Sequence, residues 1–274
     1  MFDQALPMDV LQALEQVDAD SWESLCRAVP AEVCQTLQLH VERRGNVVLT
    51  RCLVNDGPLV NRAIALGMGE PLTVAGLRAL KDEFASYGLK NFALQISPHG
   101  MRGLGREQMA EAGLVEREHW VKLLRGNGKV PDLPADGIEV REVEAGDFLG
   151  FGDVSARGFG RPPIIAHWMG STVGDPRWRH YLAWIDGQPA GAAAMYWQDD
   201  YAWLGIGSTL PEYRQRGVQQ RLIAARLQAG LAQGVKYFVS ETESRNVSCG
   251  NLCKAGFEIV YERCNYGMAP AATS

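Results

Sequence analysis

The chain has 274 residues, of which 46% are hydrophobic, and its formal net charge is -5. This length and composition support one large or two ordinary globular domains. The negative charge argues against a broad nucleic-acid or membrane-surface binding face. No apolar run approaches the ~18 residues that span a bilayer, and Met1–Pro7 has no basic segment ahead of an apolar one. We therefore expect a cytoplasmic protein with no nucleic-acid or membrane partner.

Elements of the first half are predicted from the spacing of apolar residues and from glycines at segment ends. A segment rich in Gly and Pro without periodicity, 126–137, follows them and indicates a linker. The predicted elements are strands at Asn46–Val54 and Asn61–Leu66, a helix at Thr73–Tyr87, a strand at Asn91–Ile96, a helix leading to Ala112, and a strand at Glu118–Leu124.

The second half repeats this rhythm with more strands. A long amphipathic helix begins at Gly217 and ends near Ala232, with Gly234 after it. The other predicted elements are strands at Ile138–Val143, His180–Ile185, Pro189–Trp197, Tyr201–Thr209, Lys236–Thr242 and Phe257–Met268, and helices at Ala145–Arg157, Ile165–Thr172 and Asn246–Ala255.

The similar order of elements in the two halves suggests an internal duplication. Ala112–Glu116 parallels Ala255–Ile259, and each follows its preceding strand at nearly the same distance. We therefore predict two domains, at residues 1–128 and 138–270. The alternative is two unrelated α/β segments whose glycines fall at helix ends.

A basic glycine turn, Leu210–Gln219, joins a predicted strand to the long helix. The first N–H groups of a helix lack partners within it, and the aligned peptide dipoles make that end electropositive. Arg214 and Arg216 add charged donors, and Gly217 removes a Cβ from the approach to the backbone. The turn therefore predicts a phosphate site. The corresponding turn of the first half carries Glu70 and no arginine, so we expect no phosphate there.

Two sequences in this order resemble motifs of the GNAT acyltransferase superfamily. Arg214–Gln219 is similar to its Q/R-x-x-G-x-G/A pattern, and Asn246–Phe257 to its asparagine helix with a Gly-Phe ending. The resemblance covers about 138–268 and implies an α/β (α+β) fold, with a mixed, mostly antiparallel sheet flanked by helices and duplicated as two tandem domains. Two positions depart from the family: Gln219 replaces Gly or Ala, and Leu252 replaces a tyrosine that protonates the leaving thiolate.

The resemblance implies acetyl-CoA as co-substrate. Its pyrophosphate would lie on the glycine turn, and its pantetheine arm would lie along the end of the predicted strand Tyr201–Thr209. For Asn246 a helix N-cap is the alternative, and for the glycines of that strand a structural bulge. The implied cofactor-binding residues are Gly207, Ser208, Thr209, Arg214, Gln215, Arg216, Gly217, Val218, Gln219, Asn246, Ser248 and Asn251.

Glu241 is the predicted general base because it lies at the end of the predicted strand Lys236–Thr242, near the point where this strand should diverge from Tyr201–Thr209. Glu243 is the next candidate by spacing, and an ordinary surface carboxylate is the alternative for Glu241. Tyr266 is the candidate acid. The acceptor pocket is expected near Phe159, Arg161, Pro162, His167 and Trp168, and no metal site is expected.

The leading hypothesis is an N-acetyltransferase that acts on a primary amine of a small molecule or an amino terminus, by direct attack in a ternary complex. The alternative is a non-catalytic acyl-CoA-binding protein, suggested by Gln219 and Leu252. A monomer and a homodimer are both open. The chain lacks the Gly-x-x-x-x-Gly-Lys-Ser/Thr motif of P-loop proteins and the G-x-G-x-x-G turn of Rossmann dehydrogenases.

Overall fold

The computed structural model describes residues 6–55, 57–133 and 136–269, so the outer limits of the two predicted domains and the segment 1–5 lie outside it. Within these ranges none of the helices combines the length and apolar character that crossing a membrane requires. The helices are α1 (Met8–Arg27), α2 (Ala31–Leu37), α3 (Val74–Ser86), α4 (Arg106–Glu111), α5 (Phe148–Gly158), α6 (Ile165–Met169), α7 (Val218–Ala232) and α8 (Val247–Lys254). The strands are β1 (Leu39–Arg44), β2 (Val47–Cys52), β3 (Arg62–Leu66), β4 (Ala93–Ile96), β5 (Val115–Gly126), β6 (Glu139–Glu142), β7 (Trp178–Ile185), β8 (Gln188–Gln198), β9 (Tyr201–Thr209), β10 (Tyr237–Glu243) and β11 (Glu258–Gly267).

Every element predicted from the sequence has a counterpart of the same type, and β9 matches the predicted strand at both ends. Sequence reasoning missed α1, α2 and β1. The buried side of α1 includes the polar residues Glu15, Asp18 and Ser21. These residues interrupt the apolar stripe on which a helix prediction depends.

The strands of the described ranges form one sheet in the order β1-β2-β3-β4-β11-β5-β10-β9-β8-β7-β6. Two pairs are parallel, β3 with β4 and β9 with β10, and the others are antiparallel. The fold is therefore a mixed, mostly antiparallel sheet, as the sequence predicted.

The centre of the sheet is built by an exchange of strands between the two halves. The last strand of the first half, β5, pairs with β10 of the second half. The last strand of the second half, β11, pairs with β4 of the first half. These two exchanged strands also pair with each other. The segments 1–128 and 138–270 therefore complete each other's sheet.

Helices cover both faces of the sheet. Val48 and Leu49 are adjacent in sequence but belong to different apolar clusters, since successive strand side chains point to opposite faces. One face carries a continuous core under α1, α2, α5 and α6. The other face carries separate clusters under α3 and α4 and under α7 and α8. The site lies where α7 and α8 meet the central strands.

Candidate functional site

The turn before α7 presents an uncapped helix N-terminus. After β9 the chain makes a short 3-10 turn, and then Gln215 (φ 63°) and Gly217 (φ 87°) adopt left-handed backbone conformations. Gly217 is the N-cap of the 15-residue helix, and no side chain caps it. Because the first N–H groups have no partner inside the helix, they can donate together to an anion.

Two arginines flank this turn. Nη2 of Arg214 lies 3.5 Å from the carbonyl oxygen of Gly158, and the guanidinium of Arg216 lies 5.6 Å from the ring centroid of Tyr213. Among the described residues neither arginine forms an ion pair with a carboxylate. Their positive charge therefore adds to the field of the helix end.

Strands β9 and β10 part beside this turn. Their parallel pairing covers 201–203 against 237–239 and stops there, while each strand continues. Along β9 the chain then passes through Gly205, Ile206 (φ 50°) and Gly207, opposite a register shift in β8. The backbone of β9 beyond residue 203 consequently has no strand partner on its β10 side, as the sequence led us to expect.

Buried Arg226 of α7 holds the irregular part of β9. Its guanidinium donates to the carbonyl oxygens of Leu222, Ala194 and Gly205, at 3.0, 3.0 and 3.2 Å. Burial lowers the pKa of Arg226 to about 9. Position 205 also requires glycine for a structural reason, because a Cβ there would lie 1.8 Å from the Trp203 ring. Arg226 and the Trp203 ring thus both contact this irregular part of β9.

Helix α8 begins next to α7 and is tied to it by side chains. Asn246 caps α8 by accepting from the Cys249 backbone N–H at 2.8 Å, so the capping role considered from the sequence is present. Gln219 donates to Ser248 Oγ at 2.9 Å and accepts from Asn251 Nδ2 at 2.6 Å. Gln219 therefore connects two helices instead of standing free over the turn.

A cavity of about 470 Å³ runs through the parting of the strands. Its walls come from both faces of the sheet and from both halves of the chain. On the α7 and α8 side it is lined by Gln219, Ile223, Asn246, Ser248 and Leu252. On the α1 side it is lined by Trp22, Leu25, Arg62, Trp120, Phe159, Arg161, Met169 and others. Its volume is within the range of small-molecule sites, ~300–1,000 Å³.

An ionic cluster lies below the cavity and joins α1 to the central strands. Glu241 accepts from Arg62 Nη1 at 3.2 Å and Lys122 Nζ at 3.4 Å, and it also pairs with Arg263. Lys122 binds Asp18 at 2.7 Å. Glu15 accepts from Arg263 at 2.8 Å and also from the Tyr261 hydroxyl.

The carboxyl groups of the cluster differ in their tendency to hold a proton. Burial alone would raise the pKa of Glu241, but the charges of Arg263, Lys122 and Arg62 outweigh it and hold that pKa well below its usual range. Burial, reinforced by the charge of Glu241, raises the pKa of Asp18 to about 7. Near neutral pH the cluster therefore retains a proton on Asp18 for part of the time.

Comparison with known proteins shows which protein family the second half of the chain matches. Residues 146–257 match the acetyltransferase (GNAT) family model. They form a GNAT domain. The solved structures support the same fold for nearly the whole chain. A GCN5-related N-acetyltransferase from Kribbella flavida has a TM-score of 0.62 at 16% identity, over 88% of this chain and 96% of that one. A search of curated protein sequences gives no match.

Two further structures extend this comparison. A GCN5-related N-acetyltransferase from Sphaerobacter thermophilus has a TM-score of 0.58 at 18% identity, over 80% of this chain and 79% of that one. A tandem GNAT protein from the clavulanic acid biosynthesis pathway has a TM-score of 0.55 at 15% identity, over 94% of this chain and 96% of that one. The chain thus has the GNAT fold, and the latter likeness is consistent with a tandem arrangement.

The GNAT domain brings most predicted cofactor-binding residues to one region. Gly207, Gln219, Asn246 and Ser248 line the cavity. The backbone of 214–218 forms the adjoining turn. Ser208 and Thr209 follow Gly207 on β9, and Asn251 lies on α8 behind Gln219. Arg221, one turn into α7, lines a separate surface pocket with Lys129 and Asp132.

The two predicted catalytic residues have very different surroundings, and their catalytic roles stay predictions. Glu241 does line the cavity, but three cations stabilise its charged form, and such a carboxylate is a weak base. Tyr266 lies in the apolar core under α3 and α4, outside the cavity, and burial raises its pKa to about 12. The exposed Glu243, two residues beyond Glu241, lines the cavity.

The residues expected near the acceptor pocket fall into two groups. Phe159 and Arg161 line the cavity, whereas Pro162, His167 and Trp168 do not. Trp168 is a core residue. Sequence reasoning missed the contributions of the first half, Trp22, Arg62, Gln95 and Trp120. A usable signal was present, because Arg62 begins an otherwise apolar strand and Lys122 lies between Val121 and Leu123, and buried charges require partners.

Proposed function

We propose that this protein transfers the acetyl group of acetyl-CoA to the primary amine of a small molecule or amino terminus, with both substrates bound together. The observation that carries the proposal is the continuity of the site. The uncapped N-terminus of α7 adjoins the parting of β9 and β10, and the cavity passes through that parting. A diphosphate at the turn would direct the attached arm and thioester into the cavity.

The residues present fit the proposed cofactor. Free N–H groups at the helix end, together with Arg214 and Arg216, suit a diphosphate. The backbone of β9 at Ile206 and Gly207, which is not paired with β8 or β10 in the described part of the chain, suits an arm that carries amide groups. Asn246, Ser248 and Gln219 supply polar side chains on the opposite wall.

In the proposed reaction the amine nitrogen attacks the thioester carbon, a C–N bond forms, and the C–S bond breaks. The attacking nitrogen loses one proton, which we assign to Glu243, because among the described residues this cavity-lining carboxylate has no ion pair. The leaving thiolate takes a proton from solvent. A thiol with a pKa near that of cysteine, ~8.5, needs no dedicated acid, which accommodates Leu252 in place of a tyrosine.

The test combines binding with turnover. Acetyl-CoA should raise the melting temperature of the wild-type protein, and the double variant Arg214→Ala, Gly217→Glu should lose this shift, since a carboxylate would face the diphosphate. Gly88→Glu is the matched control. Gly88 has a similar left-handed backbone (φ 79°) and an open position for a side chain, and it lies outside the proposed site. An equal shift in the double variant would place the cofactor elsewhere.

Thiol release with a panel of amines then separates the enzyme from an acyl-CoA-binding protein. The apolar Leu252 at the position of the family's tyrosine is the observation that favours the second possibility. Tight binding without thiol release from any amine would support it. Amine-dependent thiol release that falls at least tenfold in Glu243→Gln would support the enzyme and the assigned base. We also retain 1–128 and 138–270 as the proposed limits of the two repeats.

A further inference from the structure

Two strands of the first half, together with the exchanged strand β11, build a polar end of the cavity next to aromatic side chains. Arg62 on β3, Gln95 on β4 and Asn265 on β11 all line the cavity, and they are 1%, 1% and 3% exposed. Asn265 is paired in register with Gln95, and Gln95 Oε1 lies 3.5 Å from Arg62 Nη1. These three side chains therefore form one continuous polar surface.

Two atoms of this surface lack hydrogen bonds. Arg62 donates through Nε to the Leu59 carbonyl at 2.8 Å and through Nη1 to Glu241 and Gln95. Its Nη2 has no partner among the described residues, and neither has Asn265 Oδ1. A buried polar group without a partner costs ~1–3 kcal/mol. A ligand at the floor of the cavity would complete them if it offered an acceptor to Arg62 Nη2 and a donor to Asn265 Oδ1.

The charge balance of this end depends on whether Asp18 holds a proton. Glu241 is the carboxylate partner of Arg62 among the described residues, and Lys122 and Arg263 contact the same carboxylate. The cluster holds three carboxyl groups, Glu15, Asp18 and Glu241, against three cations. When Asp18 holds its proton, one positive charge is left over. An anion from outside the chain would balance it.

Aromatic and aliphatic side chains surround the guanidinium. The Arg62 guanidinium lies 4.1 Å from the Trp22 ring centroid and 5.8 Å from that of Trp120. Leu25, Leu59 and Met169 line the same part of the cavity. In such surroundings an ion pair is strengthened because little water competes for it.

We propose that the acceptor is an amino carboxylate with an apolar or aromatic body, whose carboxylate accepts a hydrogen bond from Nη2 of Arg62. This inference rests on the proposed function. The carboxylate binds at the end supplied by the first half, the apolar body lies between the tryptophans, and the amine points to the parting of β9 and β10. The first half then determines which acceptor is used, while the second half holds the cofactor.

The experiment compares L-phenylalanine with phenethylamine, which differ only by the carboxylate. We expect kcat/KM for phenylalanine to exceed that for phenethylamine by about 10- to 100-fold in the wild-type protein, as a hydrogen bond to a charged group allows. Asn265→Asp places a carboxylate of nearly the same shape at this end of the cavity, opposite Gln95, where it would repel the carboxylate of phenylalanine. This variant should reduce the ratio of the two kcat/KM values by a similar factor.

Asn127→Asp is the matched control, since it makes the same charge change on an exposed loop residue away from the cavity. A wild-type ratio near one, or an equal ratio in Asn265→Asp and wild type, would overturn the proposal. Arg62→Met is a second variant, read only where its melting temperature shows a folded protein. It should also lose the preference for phenylalanine.

A binding measurement separates this proposal from the proposed function. N-acetylphenylalanine should raise the melting temperature of the wild-type protein more than N-acetylphenethylamine, and Asn265→Asp should remove that difference. This result would support the carboxylate site even if no amine were acetylated. Equal shifts with the two compounds would overturn it, even if acetyl-CoA binds and amines react.

Discussion

The turns that follow β3 and β9 occupy corresponding places in the two halves but differ in what fills them. After β9, Gly217 begins α7 with no side-chain cap. After β3, Thr73 caps α3 by accepting from the Gly76 N–H at 3.1 Å. A Cβ at Gly67 would lie 2.6 Å from Gly100 Cα, so that turn is packed against its own chain.

This difference shows how two similar topologies can have different roles. A capped and closely packed turn has satisfied its own donors and leaves no room for a phosphate, whereas an uncapped one offers its donors to a ligand. The first half instead contributes strand side chains, Arg62 and Gln95, to the cavity. The comparison therefore supports our proposals that the second half binds the phosphates and that the first half helps to bind the acceptor.

The largest effect is expected from the ionic cluster that joins the halves. Lys122→Met removes the cation that Asp18 and Glu241 share and leaves Arg263 and Arg62 as their remaining partners, which should cost about 3–5 kcal/mol of unfolding free energy. Lys236→Met breaks an exposed pair with Asp200 and should cost under about 1 kcal/mol. Chemical denaturation measures both. Similar costs would show that the cluster does not hold the halves together.

A change of pH is expected to have a smaller effect on the free energy of unfolding. The pKa of Asp18 is raised to about 7 in the folded protein from 3.8. The folded state therefore binds more protons than the unfolded state between these values, and this contribution to stability is lost as pH rises through about 7. Denaturation at pH 5 and pH 8 should show wild type losing on the order of 2 kcal/mol relative to Asp18→Asn.

His180 does not disturb this comparison. Burial lowers its pKa to about 4, which makes stability rise with pH between about 4 and 6.5. Because that slope is common to wild type and Asp18→Asn, it cancels in their difference. A difference that stays constant from pH 5 to pH 8 would mean that Asp18 is charged throughout.

The smallest effect should come from the closed turn. Thr73→Ala removes the cap of α3 and should lower the unfolding free energy by about 1 kcal/mol. The melting-temperature shift produced by acetyl-CoA should not change, since the residue lies in the half without the phosphate turn. A reduced shift in this variant would mean that the two turns are less different than their geometry indicates.

Local patterns were enough to predict much of the site. The glycine turn with its arginines, the strand before it and the helix after it follow from neighbouring residues, because helix ends and turns depend on residues close in sequence. The catalytic residues could not be predicted in this way. Glu241 and Tyr266 were chosen from strand positions, but their roles depend on charges and packing contributed by distant segments such as α1.

By itself the sequence determined the order of elements, the phosphate-type turn and the GNAT-like character of the second half, since each depends on residues near one another in the chain. Only the tertiary structure decided that β5 and β11 exchange between the halves and that α1 carries acids to Lys122 and Arg263. Strand pairing and ion pairing over such separations depend on the assembled sheet. The local spacing of apolar residues does not indicate which distant segment will supply a strand's neighbour or a charged side chain's partner.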